Sequence, residues 1–81
     1  MASASHRYIG SLYVNGRPDL NLDGFDLETS EGREFAVSEL SRQALEEMER
    51  RAITAASLAI TEDDYGIGTF PLENAKYALR P

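Results

Sequence analysis

Asp19-x-Asn21-x-Asp23-Gly24 sets three oxygen-bearing side chains at alternate positions ahead of a glycine, as in the first half of a calcium loop. The second half is missing. Position twelve is Ser30 rather than a bidentate glutamate, Glu31 comes one residue late, and position eight, normally apolar, is Asp26. The residues before Asp19 read as strand rather than entering helix, and Leu20 and Leu22 are more simply the inward positions of a strand. No calcium is expected, and no other metal or cofactor.

Catalytic groups are scarce. The single histidine, His6, falls in the opening polar stretch, where nothing would hold it in register with a base or nucleophile. Cysteine is absent, which excludes a Cys–His pair and thiolate zinc ligands. Fourteen carboxylates form no pair at a motif spacing, and Gly66-x-Gly68 lacks the third glycine and long helix of a dinucleotide fingerprint. The chain carries no family motif, and an enzyme is not expected.

Recognition of another protein is the remaining chemistry. Ile53 and Ile60 fall among Arg42, Glu46 and Glu49 on the wheel of a helix over 38–60, apart from the apolar stripe. With Tyr65 they define an edge that runs into the acidic run Glu62, Asp63 and Asp64. These six residues are the candidate partner-binding set.

The expected scaffold is α+β. The periodic segment 38–60 predicts one long amphipathic helix, with Val37, Leu40, Ala44, Leu45 and Met48 inside and Ala52, Ala55, Ala56, Leu58 and Ala59 continuing the stripe. Glu46 with Arg50, and Glu47 with Arg51, have the favourable four-residue spacing. At 23 residues this helix would be about 34 Å long and would project beyond a small sheet. Before it, 7–14 reads as a strand ending in the hairpin signal Asn15-Gly16, and Asp23-Gly24 as a turn or bulge. Two or three antiparallel strands are expected up to Val37. In 29–37, Ser30 could cap a helix running straight through from Glu31. Phe35 lies off the helical stripe, however, so the segment is read as a turn at 30–32 and a strand up to Val37, with Ser38 as the N-cap. After the helix, 65–70 reads as a short strand with close-packing glycines and Pro71 as the start of a short C-terminal helix.

Eighty-one residues suffice for one small domain, here 7–81 after a flexible tail 1–6. The net charge of −6 opposes direct binding to nucleic acid or anionic membrane, both of which require a cationic footprint. No apolar run nears the roughly 20 residues of a membrane span, and no secretory signal follows the opening MASASHR. A cytoplasmic location is expected. The functional expectation is a small acidic non-enzymatic interaction module, an adaptor or inhibitor that occupies a partner protein's surface. Two alternatives stand beside it: a self-assembling subunit, such as a homodimer joined through the long helix, and a phage-type inhibitor of a basic nucleic-acid-binding site.

Overall fold

The computed structural model describes residues 6–22, 24–27 and 32–78. Five strands and two helices follow in the order β1 (His6–Val14), β2 (Arg17–Asn21), β3 (Phe25–Leu27), α1 (Arg33–Arg50), β4 (Ala55–Glu62), β5 (Tyr65–Glu73) and α2 (Ala75–Ala78). All pairings are antiparallel, in the order β2-β1-β4-β5, with β3 continuing the β2 edge against the start of β1. The α+β class is as expected, with a larger sheet and a shorter helix. His6, assigned to the tail from sequence, opens β1, and residues 1–5 lie outside the described set.

The first hairpin follows from its turn. Asn15 (φ 56°) and Gly16 (φ 76°) both adopt left-handed backbone, and Val14 pairs with Arg17 across them. Pro18 lies on an edge strand, opposite Tyr13 beside a register irregularity, where a missing N–H is tolerated.

Helix α1 departs from the sequence reading at both ends. It begins at Arg33, so 33–37 is helix rather than strand and Ser38 is an exposed interior residue, not a cap. Phe35 does point away from the core, 58% exposed, and the helix tolerates it there. Gly32 holds the N-cap position without a side-chain cap. At the other end the chain reverses at Ala52 (φ 57°), whose N–H donates to the Glu49 carbonyl, while the N–H of Ile53 donates to that of Met48. These two bonds make a Schellman motif with alanine at the left-handed position usually held by glycine. That substitution hides the stop from a sequence reader. Ala52→Gly is expected to raise stability by about 0.5–1 kcal/mol, since it relieves a strained Cβ at some cost in unfolded-state freedom. A melting temperature unchanged or lowered by the substitution would show that the turn carries no such strain.

The segment 55–60, taken as helix from its alanines, therefore lies in strand β4, paired on both sides. Leu12 faces Leu58 on one flank, and Phe70 faces it on the other. Alternation replaces helical periodicity here: Ala56, Leu58, Ile60 and Glu62 point under α1, and Ser57, Ala59 and Thr61 point away. Pro71, read as a helix start, lies within strand β5. Pro71 sits opposite Ser57 on the outermost strand, and helix α2 begins only after Asn74, whose side-chain oxygen accepts from the Lys76 N–H at 3.2 Å. Of the two glycines in β5, Gly68 is covered by the Phe70 ring, whereas Gly66 faces open space.

One helix covers one face of the sheet. Ala36, Leu40, Ala44 and Met48 from α1 meet Tyr8, Leu12, Leu22, Leu58 and Ile60 from below. Gly10 lets the helix approach, because a Cβ there would lie 3.3 Å from Leu40 Cδ2. On the outer side of α1, Arg42 bridges Glu39 and Glu46, and Arg50 pairs with Glu47. Arg51 makes a two-point contact with Asp19 (2.6 and 3.2 Å) that ties the end of α1 to β2. No helix among the described residues is long and apolar enough to cross a membrane.

Candidate functional site

Two surfaces differ from the remainder of the molecule. The first is the sheet face opposite α1. Its rows follow from the register: Ile9 beside Thr61, then Asn21, Ser11, Ala59 and Thr69, then Pro18, Tyr13, Ser57 and Pro71. None of these positions is charged, in a chain whose residues are 27% charged. Most are half-buried by their neighbours, and a shallow depression of about 320 Å³ opens between Tyr13, Gly16, Ser57, Ala59 and Thr69. A sheet covered on one side commonly turns polar and charged side chains to water on the other. The middle of this face is uncharged, bounded by the Arg7–Asp26 pair at one end and Glu73 at the other.

The second is a polar corner at the β4–β5 hairpin. Its turn is Asp63-Asp64, with φ values of 53° and 70°, a left-handed pair that aspartate tolerates. The N–H of Asp63 donates to the Arg7 carbonyl at 2.8 Å, and Asp63 Oδ1 accepts from the Arg7 N–H at 2.9 Å. The hairpin tip is thereby fastened to β1. Its remaining oxygen, Oδ2, lies 2.8 Å from His6 Nδ1. Next to it Glu62 is 7% exposed, with Oε2 3.3 Å from the same His6 nitrogen. Glu62 Oε1 accepts from Arg33 Nε at 3.0 Å and lies 2.7 Å from Arg33 Nη2. The Arg7 N–H, and after it His6, hold the Asp63 carboxyl below its ordinary pKa. Tyr8, wholly buried below, has its phenol pKa pushed up by burial and further by Glu62.

The six candidate partner-binding residues do not form one surface. Ile60 is 1% exposed and belongs to the core, which removes it from any docking edge. Ile53 packs against that core as the residue after the Schellman turn, so its place off the helical stripe reflects the end of the helix. Glu62 points inward, while Asp63, Asp64 and the 78%-exposed Tyr65 stand at the hairpin tip. The expected run from isoleucines to acids is thus split between core and tip. Of the calcium pattern, Asp19 is engaged by Arg51, and the Asn21 side-chain oxygen accepts from Ser11 Oγ at 3.1 Å. Asp23 lies outside the described residues.

Sequence reasoning missed His6 and Arg33. Both reach Glu62 through strand and helix placement that no local motif announces. A groove between β2 and α1, about 520 Å³, has Leu20 and Leu22 among its lining, and its charged rim residues Arg42 and Arg50 are paired to glutamates of the same helix. No protein-family model matches this chain, and neither curated proteins nor solved structures gave a match.

Proposed function

We propose that the chain is a small acidic interaction module, an adaptor or inhibitor that docks another protein on the open face of its sheet. The observation that carries this reading is the unbroken neutral surface from Ile9 to Pro71, in a chain with a net charge of −6. A flat patch without charge minimises the desolvation cost of association, while the acidic periphery favours a partner with basic groups around its own flat patch. The partner chemistry follows: a neutral patch rimmed by lysine or arginine. Helix α1 is the poorer docking element, because it stops at Arg50 and its outer side is laced with ion pairs.

Ala59, at the centre of this face between Ser11 and Thr69, provides the test. Ala59→Arg is expected to leave the circular dichroism and melting temperature of the isolated chain close to those of the parent. It should weaken binding of the partner, recovered from the source organism by affinity capture, at least tenfold in calorimetry. Equal affinities for the two proteins would place recognition elsewhere. Sedimentation showing a dimer that Ala59→Arg dissolves, with no other protein bound, would replace the partner by a second copy.

A further inference from the structure

We propose that His6, Glu62 and Asp63 form a binding site for one divalent transition-metal ion of the zinc class. This inference rests on none of the outer-face argument above. One ligand atom from each of the three residues lies within 4.8 Å of the other two, and His6 Nδ1 is 2.8 Å from Asp63 Oδ2 and 3.3 Å from Glu62 Oε2. Zinc binds nitrogen and carboxylate oxygen at about 2.0–2.2 Å, which separates neighbouring ligands by roughly 3.0–3.5 Å. The observed spacing is close to that of an edge of a coordination polyhedron.

The surroundings point the same way. Each carboxylate is held from outside the cluster through its other oxygen: Glu62 Oε1 by Arg33 from α1, and Asp63 Oδ1 by the Arg7 N–H. Oε2 and Oδ2 are thereby turned toward the imidazole, the outer-shell arrangement that orients ligands in metal sites. The Glu62 side chain is 8% exposed and aimed into the cluster, so the site is not an assembly of solvated surface acids. One nitrogen and two oxygen donors select borderline cations over calcium or magnesium, which prefer all-oxygen shells. Three protein ligands leave at least one coordination position for water or for a group from a bound molecule. With neutral His6, the two carboxylates and the Arg33 guanidinium sum to one negative charge, which a divalent ion overcompensates by one.

An ordinary ion pair would use the same atoms, with the imidazole proton shared between two carboxylates. Titration of the full chain with Zn²⁺ in a calorimeter, and with Co²⁺ followed by its visible absorption, separates the two arrangements. The site predicts one ion per chain, an Nδ1-coordinated histidine in ¹⁵N spectra, and a raised melting temperature that EDTA reverses. His6→Gln, at a side chain 30% exposed, should keep the fold and weaken Zn²⁺ binding at least tenfold. Glu62→Gln should act similarly, while Asp19→Asn, at the Arg51 contact, should leave affinity unchanged. Lack of saturable binding, affinity unaltered by His6→Gln, or Ca²⁺ binding as tightly as Zn²⁺ would each overturn the proposal.

Discussion

Leu40→Ala is expected to cost about 2–5 kcal/mol, enough to remove much of the stability of a domain this small. Leu40 is fully buried at the middle of the α1 stripe, between Ala36 and Ala44, and its methyl group lies against the space above Gly10. Leu22 and Leu58 reach the same space above Gly10, and how far they close the gap left by truncation sets where in this range the loss falls. Leu45→Ala is the control. Leu45 looks central on a helical wheel but is 37% exposed, and its truncation should cost less than about 1 kcal/mol. Urea unfolding of both variants decides the matter. A smaller loss for Leu40→Ala than for Leu45→Ala would mean that α1 presents a different face to the sheet.

Ile60→Asp is expected to leave no folded population at room temperature. The side chain is 1% exposed in the middle of β4, flanked by Gly10 and Gly68 on the paired strands, and belongs to the apolar core cluster. An isolated buried carboxylate either stays ionised at prohibitive cost or takes up a proton and still loses the apolar contacts. Ile53→Asp, at the half-buried turn, should destabilise the monomer by about 1–3 kcal/mol and leave it folded. Circular dichroism and thermal melting of the isolated chain suffice to test the pair. A cooperative, parent-like melt for Ile60→Asp would return this residue to the surface, where the sequence pattern alone had placed it.

What was legible in the sequence was local. Asn15-Gly16 specifies its hairpin because both turn residues tolerate the required backbone, and Leu40, Ala44 and Met48 announce the inner face of α1 by spacing alone. The helix end was not legible, because Ala52 does what a glycine usually signals. Alanine-rich β4 reads as helix in isolation, and becomes a strand because β1 and β5 satisfy its backbone on both sides. Phe35 was correctly placed off the apolar stripe of a helix. The conclusion drawn from it, a strand, was wrong, because an exposed aromatic residue is a small penalty and does not exclude a helix. The polar corner was hidden for a different reason. His6 meets Asp63 only through the β1–β4 register, a relation between distant parts of the chain.

The same register shapes how the molecule assembles. β1 with β2, and β4 with β5, are hairpins of neighbouring residues and form on the microsecond scale characteristic of such units. Among the described residues the ladder from Tyr8–Glu62 to Tyr13–Ser57 is their only direct strand pairing, and closing it requires the whole of α1 to be looped out or already formed. That long closure carries the largest entropic barrier in the topology. Docking of two preformed hairpins beneath the helix is then the slow event. Substitutions along the β1–β4 seam would govern how fast the native state is reached, and those at the hairpin tips chiefly how fast it is lost.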